Sequence, residues 1–195
     1  MKIRNEAINI CLQNIGEPLL GVDEVHTGIF EAEQAYFIIN QTTTEILSEG
    51  WIINTDEEWP LSKNEDDYIA VPPNVLTLKT SDRTLNIVVK DYKLYNKDTH
   101  TYKFEDVENI KCDIAWDLDF DDLPYSFQQY ITLRAARILA ERLDSNTNLL
   151  QVMLRDEDNA RRKLERFENE QNDYSIFDND NVSRIIDRTT NPTRR

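Results

Sequence analysis

Apolar residues in the second half of the chain recur every three or four positions, the spacing that places them on one face of a helix. The pattern starts just after Pro124 and runs to Leu143. Proline is tolerated in the first turn of a helix, and Asp121 and Asp122 favour its positive N-terminal end. The sequence therefore predicts a long amphipathic helix over 124–143. Its apolar face is made of Phe127, Ile131, Ala135, Ile138, Leu139 and Leu143.

Three other segments show the same helical spacing. They cover residues 3–15, about 24–48 and about 148–174. Gly16 and Gly50 follow the first two, as glycine often follows the last turn of a helix. The apolar positions are Ile3, Ala7, Ile10, Cys11 and Ile15 in the first segment, Val25, Ile29, Ala32, Tyr36, Ile39 and Ile46 in the second, and Leu149, Leu150, Met153, Ala160, Leu164 and Phe167 in the third.

Alternating charge covers the rest of the last predicted helix, over 155–170. Glu157 and Arg161 have the i,i+4 spacing of a favourable pair, worth ~0.3–0.5 kcal/mol. Asp158 and Arg162 repeat the spacing one residue later. This charged face is either exposed to solvent or shared with a neighbouring subunit.

The middle of the chain changes to a period of two, which is typical of strands. Asn96, Lys97 and Asp98 mark a hairpin turn there. Since no helices separate the short strands, an antiparallel sheet of five or six strands is favoured over a parallel one. Strands are predicted at 51–55, within 68–80 after Asn74, on both sides of the turn in 86–104, and at 109–116, with a turn-like acidic stretch at 56–67.

The predicted fold class is α+β: a bundle of about four helices, two N-terminal and two long C-terminal, with an inserted antiparallel β-sheet. Residues 1–50 are expected to form the N-terminal helical part, 51–118 the β region and 119–174 the C-terminal helical part. The periodicity ends at Tyr174. Residues 175–195 are then either an extended tail that binds a partner or a disordered end.

The chain is strongly acidic, with a net charge of −15 over 195 residues. Such a surface repels the phosphates of nucleic acids and anionic lipid headgroups, so neither is expected as a ligand. Repulsion of DNA also has a constructive use, as the wall of a channel through which DNA passes without being held. Ordinary solubility explains the same charge, and composition leaves both interpretations open.

The two cysteines, Cys11 and Cys112, lie far apart, one in a helical and one in a strand pattern. They form neither a disulfide framework nor a zinc motif. We expect both to be small buried apolar residues in a reducing compartment. The N-terminal residues do not resemble a signal peptide, and no run is long enough to span a membrane, so folding in the cytoplasm is expected.

Candidate catalytic groups are few. His26 and His100 are the two histidines, and neither has a nucleophile or ligand at a suggestive spacing. A metal-dependent hydrolase could use the carboxylates of 113–122, which are Asp113, Asp117, Asp119, Asp121 and Asp122. Helix capping explains these acids more simply, because the segment lacks the glycine and the distal glutamate of a calcium loop. We therefore predict no enzyme, and no catalytic, cofactor-binding or metal-binding residue.

A basic and aromatic cluster falls in the predicted hairpin. Its members are Lys90, Tyr92, Lys93, Tyr95, Lys97, Tyr102 and Lys103. Lysines on a strand protect the edge of a sheet against aggregation. The same residues could instead dock on a neighbouring subunit or on an acidic partner ring.

The C-terminal tail combines a few apolar residues with several arginines. The candidate partner-binding residues are Ile176, Phe177, Arg184, Ile185, Ile186, Arg188, Arg194 and Arg195. Fully extended, about twenty residues reach ~65 Å, at about 3.3 Å each. Arginines on such an arm would pair with acidic grooves of a partner.

Four landmarks follow one another along the chain. They are ICLQNIGEPLL at 10–20, SEGWIINT at 48–55, VPPNVL at 71–76 and DLDFDDLPYSFQQYITLRAARILAER at 117–142. This order resembles the tail tubular protein A family, the gatekeepers or head-to-tail adaptors of short-tailed phages. In that family a first helix ends in an IGEPP-like turn and a second ends in a GW step into a sheet. The sheet leads into a DLP-initiated helix with an Ala-Ala-Arg centre, so the resemblance covers about 1–170.

The chain departs from the family pattern at three places. Leu19 stands where a second proline is frequent, and YKLYNKDTHTYKF replaces an arginine- and glycine-rich hairpin. The arginine-ended tail has no matching pattern in the family. The resemblance therefore says nothing about the hairpin and the tail.

The resemblance implies a structural virion protein without cofactors. It would form a ring, usually dodecameric, between the portal protein and the tail nozzle, a tail tubular protein B-like protein. DNA would pass through the lumen during genome ejection without being bound specifically. The protein would assemble in the bacterial host cytoplasm and reside in the neck and tail of the virion. A small soluble binding module that forms no ring is the alternative.

Overall fold

The protein is described here by a computed structural model that covers residues 2–21, 28–82, 84–143 and 147–177, the last six by their backbone alone. Its helices are α1 (Lys2–Ile15), α2 (Phe30–Leu47), α3 (Tyr125–Leu143) and α4 (Thr147–Phe177). Its strands are β1 (Thr55–Ser62), β2 (Val75–Thr80), β3 (Ile87–Lys90), β4 (Lys93–Asn96) and β5 (Asn109–Trp116). The expected α+β class, with four helices and antiparallel strands, is confirmed.

The helices share one apolar core. Helices α1, α2 and α3 pack against one another, and α4 packs along α3. Phe127 lies at the centre of this core, where its ring meets Trp51 edge-to-face at 5.3 Å and Phe167 at 6.4 Å between centroids. Such aromatic pairs add to the free energy gained by burying apolar area. The ring of Phe127 thus joins α3, α4 and the segment that follows α2.

The apolar faces of α2, α3 and α4 agree largely with the predicted periodicity, but that of α1 is rotated. Ile8 and Leu12 are completely buried, whereas Ile3 and Ile10 are 42% and 40% exposed. The seven apolar or small residues of this 14-residue helix are compatible with two overlapping buried faces. Because α1 contacts both α2 and α3, the face that is buried is the one that points between these two helices. The predicted position of Leu143 on the buried face is also wrong, because the last turn of α3 leaves this side chain 47% exposed.

The predicted start of the second helix near residue 24 is wrong. Gly28 has a positive φ of 89° and Ile29 is extended, so α2 begins at Phe30. Val25, predicted on the buried face of this helix, and His26 lie outside the described residues. Glycine adopts positive φ at no steric cost, which makes it a natural break before a helix.

The strands form two antiparallel sheets in place of the single sheet expected. A three-stranded sheet has the order β1-β5-β2, and β3 pairs with β4 in a separate two-stranded sheet. The β3–β4 hairpin is held to the preceding segment instead, with Leu94 N–H donating to Ile69 C=O at 3.0 Å and Val71 N–H to Tyr92 C=O at 2.8 Å. A second apolar core lies between these strands, formed by Leu61, Ile69, Val71, Leu94, Phe104, Ile110, Cys112 and Ile114.

The acidic stretch 56–67 is a turn only in its last part, because β1 occupies residues 55–62 and the turn follows, with Asp67 N–H donating to Asn64 C=O at 3.1 Å. Strand β1 lies at the edge of its sheet and pairs with β5 alone, so its carboxylates reach solvent and Pro60 removes no needed hydrogen bond. The stretch 51–55, predicted as a strand, is a 3₁₀ turn over Ile52–Asn54 followed by the start of β1. The Asn54 side chain ties this turn down by donating to Leu47 C=O and Trp116 C=O.

The turn predicted at 96–98 is present but follows β4, and the turn that joins β3 to β4 lies at Asp91 and Tyr92. Both turn residues have positive φ, 52° and 55°. Consecutive positive φ values are what a two-residue turn needs to match the twist of its strands, but Asp-Tyr lacks the Asn-Gly signature by which such turns are recognised. Asn96 marks a second, wider turn, with its N–H donating to Thr101 C=O at 2.9 Å.

Candidate assembly surfaces

Two of the hairpin lysines cover aromatic rings. Lys90 and Lys93 stand opposite each other on β3 and β4. The Nζ atom of Lys90 lies 3.9 Å from the ring centroid of Tyr95, and that of Lys93 lies 4.7 Å from Tyr68. Ammonium groups are attracted to the negative face of such rings. These two lysines therefore stabilise the hairpin itself.

The remaining hairpin residues lie on β4, in the turns beside it and in the segment after it. Tyr102 packs against Tyr95 with ring centroids 4.9 Å apart. Lys103 lies opposite Tyr68 in an isolated bridge, and Lys97 and Lys103 are both exposed. Tyr92, at the turn, is 66% exposed. The structure thus brings five of the seven candidates together around Tyr95 and Tyr68, with Tyr92 and Lys97 in the turns on either side of β4. We call the seven residues the lysine hairpin.

The C-terminal candidates divide into two groups. Ile176 and Phe177 lie in the last turn of α4, so the extended tail expected from residue 175 begins no earlier than 178. A run of polar residues in 169–175 hides this continuation, because it carries no apolar period. The remaining candidates lie outside the described residues: Arg184, Ile185, Ile186, Arg188, Arg194 and Arg195.

The acids of 113–122 are dispersed among structural roles. Asp119 accepts from Asp121 N–H at 2.9 Å, and its contact with Arg4 measures 2.6 Å. The backbone hydrogen bond from Asp121 and the neighbouring guanidinium lower the pKa of Asp119. Asp113 instead accepts from Glu58 N–H and Ser81 Oγ on the sheet. Among the residues that the structure describes, no three carboxylate, thiol or imidazole groups are placed to share a metal ion.

Burial keeps both thiols protonated. Cys11 is fully buried in the helical core, and desolvation raises its pKa to about 12. Cys112 is fully buried in the second core, where desolvation and then the charge of Asp113 raise its pKa to about 11. The expectation that both cysteines are buried and unbridged is confirmed.

A buried carboxylate, which the sequence pattern did not reveal, links α4 to α3. Glu157 is only 7% exposed, and its Oε2 accepts a short hydrogen bond from Arg137 Nε. Arg134 Nη1 lies 3.4 Å from Glu157 Oε1, while its Nη2 reaches Glu45 of α2 at 2.6 Å. The hydrogen bond that Arg137 donates to Glu157 raises the pKa of Arg137. We call Glu157, Arg134 and Arg137 the ionic clamp.

Arg161, expected to pair with Glu157, makes a different set of contacts. Its guanidinium contacts Glu49 at 2.8 and 3.2 Å through two nitrogens, and its Nε donates to Glu165 at 2.8 Å. It also lies over the Trp51 ring, 4.8 Å from the centroid. Arg161 therefore makes its i,i+4 pair with Glu165, on the C-terminal side, while Glu157 pairs with Arg134 and Arg137 of α3.

Exposed apolar side chains lie on all four helices. They include Ile3 and Ile10 of α1, Phe30 and Phe37 of α2, and Tyr125 of α3, which are between 40% and 74% exposed. Apolar side chains that line up on a folded surface mark contacts with other proteins. The fold and these surfaces are typical of a structural subunit that packs against other proteins.

Comparison with protein families agrees with this class. A family model described as tail tubular protein matches residues 5–174, and the chain belongs to that family. The family is one of structural phage-tail proteins and not of enzymes, so the protein is a structural component of the virion tail. A search of curated proteins gave no match. No helix in the described ranges has the length and hydropathy needed to cross a membrane.

Proposed function

We propose that the protein is a head-to-tail adaptor, a ring of identical subunits, expected to be dodecameric, between the portal and the tail nozzle of a short-tailed phage. The observation that carries the proposal is the family match over 5–174, which includes the landmarks of the tail tubular protein A family. The exposed apolar side chains of α1, α2 and α3 provide surface for contacts between subunits. In this role DNA passes through the lumen of the ring during genome ejection.

The charge of the chain supports passage of DNA without binding. Each subunit carries a net charge of −15, which a ring multiplies around its channel. Like charges on the wall and on the phosphates disfavour the ion pairing that gives proteins their sequence-independent affinity for DNA. The ring therefore guides DNA without holding it.

Mixing the purified protein with the cognate portal tests the adaptor role. We expect rings, either formed spontaneously or templated by the portal, in negative-stain images and a corresponding multiple of the 22.9 kDa subunit mass by light scattering. The control is the same measurement on each protein alone. A chain that stays monomeric at micromolar concentration and ignores the portal would overturn the proposal in favour of a binding module without a ring.

The lysine hairpin and the C-terminal tail are proposed to contact different partners. We expect a chain that ends after Phe177, which keeps α4 whole, to lose affinity for the portal and to keep affinity for the nozzle protein. We expect Lys97→Glu combined with Lys103→Glu to have the opposite effect, because both side chains are exposed and away from the aromatic stacks. Binding of each variant to each partner is measured by surface plasmon resonance. Unchanged portal binding by the shortened chain rules out the tail as the portal contact.

A further inference from the structure

One apolar surface is the outer side of α2. Phe30 and Phe37 are 60% and 59% exposed, and their spacing of seven residues puts them two turns apart on one side. The residues buried by α2, such as Ala35 and Ile39, lie on its opposite side. We call this surface, with Gln34 and Gln41, the phenylalanine face. Two large apolar side chains held in solvent on a regular helix point to a missing partner.

The other apolar surface is a groove between α1 and α3 with a volume of about 370 Å³. Ile3 and Ile10, also seven residues apart, form one wall, and Tyr125 at the start of α3 stands at the rim. Leu133, half-buried on α3, contributes to the lining. We call it the α1–α3 groove. It lies on different helices from the phenylalanine face, so one subunit carries both surfaces separately.

Both surfaces are poor in charge, although the chain as a whole is strongly acidic. The phenylalanine face carries the amides of Gln34 and Gln41. Its nearest carboxylate, Glu33, turns back along the chain to accept from Gly28 N–H at 2.7 Å. The groove is lined by neutral polar groups and by a single acid, Glu6. Two copies with a net charge of −15 each can therefore meet here with less repulsion than elsewhere.

We infer that the phenylalanine face of one subunit fills the α1–α3 groove of the next. The contact is heterologous, because it joins two different surfaces. A row of such subunits therefore keeps one free phenylalanine face at one end and one empty groove at the other. Such a chain closes into a ring when the rotation between neighbours permits. The 60% and 59% of Phe30 and Phe37 that are exposed would be covered by the groove, which makes the pair a suitable centre for an interface of about 800 Å² per partner. The inference rests on the proposed function for closure of the ring and adds the residues that form the contact.

Complementary variants test this contact. Phe37→Glu places a charge on the face, and Tyr125→Glu places one at the groove, where the helix N-terminus tolerates it. We expect each variant alone to remain monomeric by light scattering and to form no ring when it is mixed with the portal. An equimolar mixture retains one intact face and one intact groove, so we expect a dimer of about twice the subunit mass and nothing larger. Ile10→Glu serves as a second groove variant.

The control is Val152→Glu, a charge introduced at a 46% exposed position of α4, which we expect to assemble as the unaltered chain does. Unchanged circular dichroism establishes that each variant is folded. Rings formed by Phe37→Glu or by both groove variants overturn the contact while leaving the adaptor role intact. At a concentration where the unaltered chain assembles without the portal, a mixture that stays monomeric overturns the pairing of these two surfaces. If the unaltered chain assembles only on the portal, a mixture that places no paired subunits on the portal overturns it. Open head-to-tail chains of the unaltered protein, without rings, support the contact and overturn the ring.

Discussion

Replacing Phe127 by alanine is expected to lower the free energy of unfolding by about 3–5 kcal/mol, the usual cost of removing a buried aromatic ring. The side chain is fully buried and its ring contacts Trp51 and Phe167. These partners come from the segment after α2 and from α4, so the cavity cannot be filled by the movement of one helix alone. Urea unfolding of the monomer, followed by tryptophan fluorescence, measures the change. The melting temperature should fall by on the order of 10 °C.

The matched control is Leu143→Ala on the same helix, where the side chain is 47% exposed. We expect a change below about 1 kcal/mol there, because little apolar area leaves solvent on folding. Equal effects of Phe127→Ala and Leu143→Ala would contradict the position of Phe127 at the junction of the helices.

Removing the carboxylate of the ionic clamp with Glu157→Ala is expected to cost about 2 kcal/mol. The change leaves the guanidinium groups of Arg134 and Arg137 without the acid between them, and an unpaired, partly buried charge is costly. The loss is smaller than for a fully buried pair because Arg134 keeps Glu45 and Arg137 keeps Glu141, at 2.6 and 2.9 Å. Urea unfolding again provides the measurement.

An exposed ion pair on the same helix provides the comparison. Arg166 and Glu170 form an i,i+4 pair at 3.0 Å, with side chains 81% and 58% exposed. Surface pairs contribute at most about 1 kcal/mol, so Glu170→Ala should be close to neutral. If Glu157→Ala were equally neutral, the clamp would be no more than a surface contact. Glu157→Gln, which keeps the shape and a hydrogen-bonding oxygen, should lie between the two.

Helical periodicity predicted most of the helical layer, because a helix buries residues by a rule that is local in sequence. The stretch 124–143 predicted α3 almost to the residue. Strands were harder, since their environment depends on distant partners. The acids of β1 give no alternation, and only its place at the sheet edge, set by pairing with β5, explains why 56–62 can be a strand.

The surfaces were predictable only in part. The aromatic and basic composition of 86–104 indicated the lysine hairpin, but not that Lys90 and Lys93 stack on rings. The role of Glu157 could not be read from the sequence, because it lies among exposed charges and is distinguished only by the two arginines of α3 that face it. Phe37 lay outside the apolar face predicted for the second helix, but the pattern did not show that its side chain is 59% exposed.

The length of α4 fixes where its C-terminal end lies relative to the rest of the subunit. Residues 169–171 are exposed, and the helix continues to Phe177 after Glu168 has contacted the Ile52 N–H at 2.6 Å. The nine residues 169–177 extend the helix by roughly 13 Å, at about 1.5 Å each. The C-terminal end of α4 at Phe177 is therefore an origin with a defined height and azimuth relative to the body. One residue inserted after Gln171 would shift that origin by only about 1.5 Å but turn it by about 100°.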